Sequence, residues 1–385
     1  MITTLLFWLA LANLAMVLAC LGLLALSRFL VRHIKDVSIE GIDAWPSVSL
    51  IAPARNEERN IEEAVRSLAR LDYPNLQITI INDRSTDRTG EILDRLAAEF
   101  PQLNVVHLTD LPPGWLGKNH AMQLGADRSS GEWLLFADGD VVYEPTVLKR
   151  AIVYAHKHRV DHLAGWPDVV AQSWLMSTFM LTFALYLFLF VRVWAIRNPR
   201  SRAHIGVGAF NLVRAAAYRA AGGHARIKMR PDDDLKLGKI VKLAGYRQDF
   251  VDCTGLLSVE MYRSVSELLR GLEKNAFSAT DYSVALTVFS TILSLLFCVW
   301  PFVAVFVISG PTRWLYLAVC LLLWTMAWGS ARTTRAPPAC ALAYPLAVLM
   351  MVYIQWRTML LNYYHGGIRW RDTHYSLAEL RANKV

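Results

Sequence analysis

Two carboxylates stand one residue apart at the end of an apolar segment in this 385-residue chain. The segment Trp133-Leu-Leu-Phe-Ala runs directly into Asp138-Gly-Asp140. Side chains two positions apart on an extended strand point to the same side, so Asp138 and Asp140 face one way. Close carboxylates repel each other unless a cation lies between them, and Mg²⁺ and Mn²⁺ prefer oxygen ligands and also bind phosphates. The pair therefore predicts a divalent-metal site on Asp140 and Asp138.

A second acidic group, Asp232-Asp233-Asp234, precedes an amphipathic segment. It follows the small-residue stretch 206–213, which suits the close approach of a ligand. Three adjacent acids are commonly a solvated turn or a helix cap. A carboxylate beside a metal-bound sugar phosphate can instead act as general base on an acceptor hydroxyl.

Two further polar clusters follow apolar, β-rich segments. In the first, Pro53-Ala-Arg-Asn-Glu57, Asn56 is either a helix cap or part of a ligand site. In the second, Asn82-Asp83-Arg-Ser-Thr-Asp87, Asp83 can accept hydrogen bonds from a base or ribose. Ser85 and Asp87 can instead cap the helix that follows.

A lysine opens another predicted helix, in Trp115-Leu-Gly-Lys118-Asn-His. A positive charge at a helix N-terminus opposes the helix dipole unless an anion lies nearby. Lys118 is therefore either a phosphate ligand or a solvated surface side chain.

Alternating strand and helix patterns must position these clusters. The predicted strands are Val48–Ala52, Gln77–Ile81, Leu103–Leu108 and Trp133–Ala137, and the predicted helices are Ile61–Leu71 and Glu91–Phe100. Such alternation predicts a parallel α/β sheet that binds ligands at the carboxyl ends of its strands. The polar clusters fall at those ends.

In their order, these motifs resemble the inverting family 2 glycosyltransferases of GT-A fold. Within that family, the membrane-bound relatives of carotenoid-, hopanoid- and ceramide-associated enzymes look most similar. The resemblance spans residues 48–277. The matching positions are Pro53, Asn56 and Glu57 in P-x-x-N-E, Asn82-Asp83 in the nucleoside-binding acidic pair, Gly117, Lys118 and Ala121 in G-K-x-x-A, Asp138 and Asp140 in D-x-D, and Asp233, Asp234, Leu237 and Gly238 in E-D-x-x-L-G.

The resemblance implies a Rossmann-like GT-A domain that takes a nucleotide-sugar donor and Mg²⁺ or Mn²⁺. Asp234 would be the catalytic base with Asp233 in support, and Asp140 with Asp138 would hold the metal. The implied donor-binding residues are Pro53, Asn56, Glu57, Asp83, Lys118 and Asp138.

Two stretches depart from the family pattern. Processive members carry Q-x-x-R-W, but the stretch 269–277 has no Trp, which favours transfer of a single sugar over polymer synthesis. The stretch 368–375 resembles the W-x-G-x-x-Y ending of some lipid-modifying relatives, with Asp372 in place of Gly. A processive polysaccharide synthase, a nucleotidyltransferase and a non-enzymatic nucleotide-binding or transport protein are the rival hypotheses.

Composition indicates a membrane protein with a soluble part. The chain is 54% hydrophobic and 19% charged, with a net charge of +8. Because long apolar runs are present, that charge favours anionic lipid headgroups rather than nucleic acid as its partner. None of the five cysteines has CxxC or metal-ligand spacing, so we expect them to be small packing residues.

Uncharged runs long enough to span a bilayer lie at both ends of the chain. They predict a transmembrane helix over 1–28, a catalytic domain over 46–280, transmembrane helices over 282–360 and a basic tail over 361–385. Arg28, Arg32 and Lys35 follow the first run and predict a cytoplasmic catalytic domain on a multi-pass protein of the cell (inner) membrane. The resemblance implies a membrane lipid or lipid-like acceptor, which would be reached in this membrane.

The run 173–191 is also uncharged but interrupts the predicted catalytic domain. A spanning helix would place the two halves of that domain on opposite faces, so we predict an interfacial helix there. Arg192, Arg197, Arg200 and Arg202 would anchor it to headgroups. Four or five spans are compatible with the sequence. The tail is ambiguous, because three C-terminal spans place it outside whereas its arginines favour the inside.

Overall fold

The structure is a computed structural model that describes residues 2–260, 262–370 and 373–385, and it divides into two compact units. The sheet unit comprises Val31–Val170, Val191–Glu260 and Ala382–Val385. The helical unit comprises Met1–Leu30, Ala171–Phe190 and Met261–Arg381. Asp372, the predicted departure from the tail motif, lies outside the described residues.

Strands and helices are numbered along the chain. The strands are β1 Arg32–His33, β2 Val48–Ala54, β3 Leu76–Asp83, β4 Leu103–Leu108, β5 Trp133–Phe136, β6 Val141–Tyr143, β7 His162–Trp166, β8 Asp168–Val170, β9 Asn211–Arg214, β10 Gln248–Asp252, β11 Leu257–Glu260, β12 Gly367–Trp370 and β13 Thr373–Ser376. The helices are α1 Ile2–Leu30, α2 Ile61–Ala69, α3 Thr89–Glu99, α4 Gly117–Asp127, α5 Val147–His158, α6 Trp174–Val191, α7 Ala215–Ala221, α8 Asp233–Leu243, α9 Val265–Leu272, α10 Val284–Ser294, α11 Trp300–Val307, α12 Pro311–Thr333, α13 Tyr344–Tyr364 and α14 Leu377–Ala382.

The sheet unit is built on one eight-stranded sheet in the order β1-β10-β7-β9-β5-β2-β3-β4. Buried aliphatic side chains such as Leu50, Ile80 and Leu135 alternate with Ile51, Ile81 and Leu134, so the two sets pack against helices on opposite faces. A second sheet in this unit has three strands in the order β6-β11-β8. The predicted α/β fold is confirmed.

The predicted sheet is parallel except at β9. This strand runs antiparallel to both of its neighbours, β5 and β7. The backbone N–H of Asp138, which follows β5, donates to the carbonyl of Gly208 just before β9. Because β9 therefore enters the sheet at the edge where β5 leaves it, β9 must run in the opposite direction. The prediction of a wholly parallel sheet is wrong at this strand.

The sheet also joins the two chain segments that flank α6. Strand β9, which follows α6 in sequence, pairs with β5, which precedes it, and Phe136 is opposite Asn211. Strand β10 likewise pairs with β7 over Gln248–Asp252. The chain segments before residue 171 and after residue 190 therefore belong to the same sheet.

The helical unit holds most of the long apolar helices. Within the described residues, five helices are long and apolar enough to cross a membrane, namely Thr3–Leu30, Trp174–Ala195, Val284–Val307, Pro311–Thr333 and Pro338–Tyr364. The third contains a π-helical turn at Leu295–Val299, immediately before Trp300 and Pro301. Proline lacks a backbone N–H and disturbs the helix ahead of it, which accounts for the irregular turn at this point.

Helix α6 packs into the apolar core of the helical unit. Leu181 and Leu185 lie in one buried cluster with Val17 of α1 and Val319 of α12. The Ser330 hydroxyl of α12 donates a 2.6 Å hydrogen bond to the Leu181 carbonyl. That α6 lies in the membrane interface stays a prediction.

The outer surface of the helical unit carries large exposed apolar side chains. Phe29, Phe190 and Phe306 are 85%, 66% and 84% exposed. Such a surface is costly in water and is typical of lipid-facing helices.

Candidate functional site

The loops after β2 and β3 are hydrogen-bonded to each other. The backbone N–H of Asn56 donates to Ser85 Oγ over 3.0 Å, and Asn56 Oδ1 accepts from the backbone N–H of Thr86 over 2.8 Å. The N–H of Glu57 donates to Thr89 Oγ1 over 2.8 Å. Asn56 thus joins two loops and is not the cap of α2, which starts at Ile61.

The sequence left open whether Ser85 and Asp87 cap the helix that follows, α3, and in the structure only Asp87 does so. Asp87 accepts from the N–H of Thr89, the first residue of α3, and also from the N–H of Glu58. Ser85 accepts from Asn56 instead of capping α3. These contacts fix the two strand-end loops against each other and so define one wall of the site.

Asp83 ends β3 and is buried among cations. Arg84 Nε donates to its Oδ1 over 2.7 Å, and Arg55 Nη1 lies 3.7 Å from its Oδ2. A side chain on Gly117, the first residue of α4, would clash with the Asp83 carboxylate. The glycine of the predicted G-K-x-x-A element therefore lets α4 approach the end of β3.

Lys118 connects two of the predicted acidic motifs. Its Nζ lies 2.8 Å from Asp138 Oδ1 and 3.2 Å from Asp233 Oδ2. Burial disfavours the charged amine, but Asp138, Asp233 and Asp234 together raise the pKa of Lys118 well above its ordinary value. Lys118 is thus a fixed cation among carboxylates and not a solvated surface side chain.

Asp138 and Asp140 lie just past the end of β5, as predicted. Between them, Gly139 packs so closely that a Cβ there would lie 2.8 Å from the Pro53 carbonyl oxygen. Pro53, the first residue of the P-x-x-N-E motif, thus lies against the D-x-D motif. Burial and the charges of Asp138 and Glu57 raise the pKa of Asp140 to about 7. A cation at Asp140 would therefore offset both the burial of its charged form and the repulsion from the neighbouring carboxylates.

Asp234 lies in the first turn of α8. Its Oδ2 accepts from the N–H of Gly208 over 2.9 Å, and its Oδ1 accepts from the N–H of Leu235 over 2.7 Å. Burial and the neighbouring Asp233 raise the pKa of Asp234 to about 7, whereas Lys118 opposes that rise. A carboxyl that titrates near neutrality is suited to act as general base.

The glycines before β9 allow neighbouring segments of the protein to pack closely against this stretch. A Cβ on Gly206 would overlap the Asp234 carbonyl, and a Cβ on Gly208 would clash with the Asp138 carboxylate. The sequence predicted that this stretch admits a ligand. In the structure, it lets two acidic motifs come together.

The loop ahead of the acidic group is held from α4. Asn119 Nδ2 donates to the carbonyls of Ile227 and Arg230, each over 2.9 Å. Arg230 in turn binds Asp232 with two hydrogen bonds of 2.9 and 3.1 Å. Helix α4 therefore positions both Lys118 and the loop that leads into Asp233.

Several of these residues were not predicted from sequence. Arg55 and Arg84 border the predicted Asp83, and their positions inside the two strand-end motifs are the signal that was available. Asn119 and Gly208 act on residues distant in sequence, so local patterning gave no indication of their roles.

The carboxylates at β5 suit a hard divalent ion. Among the described residues, no three His, Cys, Asp or Glu side chains converge into a complete metal site. Mg²⁺ and Mn²⁺ need not have one, since they commonly bind one or two carboxylates and take substrate phosphates and water as their remaining ligands. Asp140, whose pKa is raised by burial and by the neighbouring Asp138 and Glu57, fits that role best, with Asp138 beside it.

With this geometry established, comparison with known proteins identifies the domain. Residues 49–220 match the profile of Glycosyl transferase family 2. This matched segment, which is less than half of the chain, is similar to a family 2 glycosyltransferase domain. This domain covers the strand-end motifs and Gly208, and the Asp233-Asp234 group lies beyond the matched residues.

Curated relatives carry similar stretches. Beta-monoglucosyldiacylglycerol synthase from Synechocystis sp. is 36% identical over 112 residues, which are 29% of this chain and 23% of that protein. The 4,4'-diaponeurosporenoate glycosyltransferase from Staphylococcus haemolyticus is 31% identical over 121 residues, which are 31% of each chain. Probable glycosyltransferase YdaM from Bacillus subtilis is 32% identical over 117 residues, 30% of this chain and 27% of that protein. The chain thus aligns with under a third of the length of these relatives.

A solved structure shows the same fold over a longer range. The mannosyltransferase PcManGT from Pyrobaculum calidifontis, in complex with GDP-Man and Mn²⁺, superposes with a TM-score of 0.53. The superposition covers 93% of this chain and 98% of that one at 18% identity. At this identity the similarity establishes the GT-A fold and nothing finer.

Proposed function

We propose that this protein transfers a single sugar from a nucleotide-diphosphate sugar to a membrane lipid or lipid-like acceptor. The reaction proceeds by direct displacement, inverts the anomeric configuration and uses Mg²⁺ or Mn²⁺. The catalytic domain faces the cytoplasm at the cell membrane.

One observation carries the proposal. Lys118 lies within 2.8 Å of Asp138 and 3.2 Å of Asp233, so the metal-binding and base motifs share one cation. Asp83, at the end of β3, lies against Gly117 one residue away from that lysine. A donor that lies across these strand ends would therefore have its nucleoside near Asp83 and its sugar near Asp234.

The loops after β2 and β3 supply the donor side. Asp83 accepts hydrogen bonds from the nucleoside, and the neighbouring Asn56 and Glu57 hold the loop geometry around it. Pro53 keeps its carbonyl against Gly139 and so fixes the distance between the nucleoside and diphosphate regions. Lys118 orients Asp138 and Asp233 at the place where the diphosphate meets the sugar.

Asp140 and Asp138 would hold the metal, with Asp140 as the principal ligand. When bound, the ion offsets negative charge that builds on the nucleotide diphosphate as it leaves.

Asp234 serves the acceptor side. Its two backbone hydrogen bonds fix the orientation of the carboxylate, and its pKa of about 7 leaves a large ionised fraction near neutral pH. It takes the proton from the acceptor hydroxyl as that oxygen attacks the anomeric carbon. Because the base and the leaving group act on opposite sides of that carbon, a single displacement inverts its configuration.

Two observations support a lipid-like acceptor. The helical unit presents exposed apolar side chains such as Phe29 and Phe306, which suit a bilayer. The names of two relatives, the Synechocystis and Staphylococcus haemolyticus proteins, point to a glycolipid and a carotenoid acid.

Transfer to extracted lipid tests the proposal. Native membranes that contain the wild-type chain are incubated with a panel of radiolabelled nucleotide sugars and Mn²⁺ or Mg²⁺, and the lipids are then extracted. We expect label in one lipid fraction with the wild-type chain and a loss of about 100-fold or more with Asp234→Asn, because general-base catalysis contributes about 10²- to 10⁴-fold. Label in the aqueous polymer fraction alone, or equal transfer by both chains, would contradict it.

A further inference from the structure

A cavity of about 280 Å³ lies near the amino ends of two strands, whereas the candidate active site lies at the carboxyl ends of the strands. Its lining includes Val160, just before β7, and Arg247, just before β10. Strands β7 and β10 are parallel, and both are parallel to β5, since β9 runs antiparallel to β5 and to β7. The cavity is therefore at the amino ends of strands whose carboxyl ends face the proposed donor site.

The lining of this cavity includes one carboxylate, Asp249, which already accepts several hydrogen bonds. Buried Asp249 accepts from Arg197 Nε over 2.7 Å and from the Tyr154 hydroxyl over 2.7 Å. Its Oδ1 also accepts from the N–H of Phe250 over 2.8 Å. Arg197 Nη2 donates to the same Tyr154 hydroxyl over 2.7 Å. Asp249 thus neutralises one cation, Arg197, and has little remaining capacity for a second.

The other charged groups of the lining are cationic. Lys242 and Arg247 both line the cavity, and Arg32 Nη1 lies 2.8 Å from Nε2 of the lining residue His158. Lys242 donates to the carbonyls of Ile196 and Asn198, which are neutral acceptors.

The electrostatics agree with an excess of positive charge. Burial lowers the pKa of Lys242, although Asp249 acts in the opposite direction. Burial, together with the charges of Arg32 and Arg197, lowers the pKa of His158. Neighbouring cations contribute to the shift of His158, whereas that of Lys242 is due to burial alone, so the charges around His158 are the ones that would favour an anion in the cavity.

We propose that this cavity is a phosphate-binding site, distinct from the donor site, in which Arg247, Lys242 and Arg197 receive the phosphate oxygens. A cavity of about 280 Å³ accommodates a phosphate together with part of the group that carries it. Arginine suits this role because its planar fork pairs with phosphate through two hydrogen bonds. This site goes beyond the proposed sugar transfer and does not depend on it.

The phosphate has two sources that this chemistry does not separate. Arg32 and Arg197 come shortly after the ends of α1 and α6, helices apolar enough to lie in a membrane, which favours a phospholipid headgroup. A soluble phosphate compound would make the same contacts.

The experiment measures both ligands on the full-length protein in neutral detergent. One arm titrates inorganic phosphate. The other measures retention of phosphatidylglycerol relative to phosphatidylcholine by native mass spectrometry. The test variant is R247Q/K242Q, and the matched control is R70Q/R128Q, two exposed cations at the C-terminal ends of α2 and α4 that change the net charge equally.

We expect the test variant to lose about tenfold or more in affinity for whichever ligand the wild-type protein binds, because charge-assisted hydrogen bonds are the strong ones. The control should change by less than about threefold. The variant R247K keeps the charge but loses the planar fork, so its affinity should lie between those of the control and the test variant. Loss of phosphatidylglycerol retention alone identifies a headgroup, and loss of phosphate binding alone identifies a soluble ligand. If R247Q/K242Q does not fold, R247Q alone decides. Absence of binding by the wild-type protein, or equal losses in the test and control variants, overturns the proposal.

Discussion

The backbone N–H of Gly208 donates a 2.9 Å hydrogen bond to Oδ2 of Asp234, although the two residues are far apart in sequence. The Cα of the same glycine faces the carboxylate of Asp138. One glycine, placed just before the antiparallel strand β9, therefore sets the separation between the proposed base and the proposed metal-binding carboxylates. The direction of β9 brings it to this position.

Gly208→Ala should impair catalysis strongly, because the new methyl group cannot fit against Asp138. A displacement of about 1 Å in a catalytic group can cost about 100-fold in rate, and we expect a loss of that order in kcat. The control is Gly329→Ala, where an added Cβ meets no atom within 4 Å. Steady-state transfer assays on both variants check the prediction. Wild-type kcat in Gly208→Ala would show that this contact does not position the site.

The role of Gly208 depends on a contact between residues that are distant in sequence, and it was therefore not predicted. The strand-end motifs at Asp83 and Asp138 were predictable, because apolar strands and polar ends are patterns within a few residues of each other. The partner of Gly208 is Asp234, and its contact depends on the reversed direction of β9. Local pattern carries no information about such a reversal, so the sequence indicated only that small residues were needed there.

Asp140→Asn should weaken metal-dependent activity more than it weakens folding. The wild-type carboxyl has a pKa raised to about 7 by burial and by Asp138 and Glu57, so a neutral amide removes repulsion. We expect unchanged or increased thermal stability, together with a loss of about 100-fold or more in activity at low Mn²⁺. A Mn²⁺ titration of transfer rate, with EDTA as the zero point, makes the measurement. Full wild-type activity in EDTA would exclude the metal role.

The pH profile should report Asp234. Because its pKa is raised to about 7 and the ionised form is the base, kcat/KM should fall below pH 7 by about tenfold per pH unit. Asp140 also titrates near 7, so protons compete with metal there and steepen the profile. Saturating Mn²⁺ should remove that second contribution and leave the slope due to Asp234. In Asp234→Asn the remaining activity should lose this dependence, and a wild-type profile in the variant would mean that another group is the base.

Asn383 should help to position the acidic loop. Its Oδ1 accepts from the N–H of Met229 over 2.9 Å, and its Nδ2 donates to the carbonyl of Arg226 over 3.1 Å. Asn119 holds the same loop from α4. Loss of two hydrogen bonds costs about 1 kcal/mol each, so Asn383→Ala should lower kcat by about tenfold or more with little change in donor KM.

Two variants control for this prediction. Asn383→Asp keeps the acceptor for Met229 but loses the donor to Arg226, so its kcat should be intermediate. Lys384→Ala, at an exposed neighbour, should be neutral. Equal effects of all three changes would mean that the tail acts through general stability and not through the loop.

The last prediction concerns membrane topology. Strands on both sides of α6 pair in one sheet, and Ala382–Val385 belong to the same sheet unit. A bilayer with about 30 Å of hydrocarbon cannot pass through a sheet, so both ends of α6 must lie on one face of the membrane. The same reasoning places the tail on that face. We therefore expect the chain to cross the bilayer an even number of times between Glu260 and Ala382, so that at least one of the three candidate helices there does not cross.

Cysteine labelling tests this topology directly. Single cysteines replace Lys157, before α6, Arg200, after it, and Lys384, in the tail, in a chain whose five native cysteines have been replaced. All three positions are exposed, and all should be protected from a membrane-impermeant thiol reagent in intact cells and labelled after permeabilisation. Protection follows from the arginines after α1, which favour the cytoplasm. Labelling of Arg200→Cys but not Lys157→Cys in intact cells would mean that α6 spans, and the single sheet could not exist in the membrane-bound protein. Labelling of Lys384→Cys alone would separate the tail from the sheet unit and remove the support for a positioning role of Asn383.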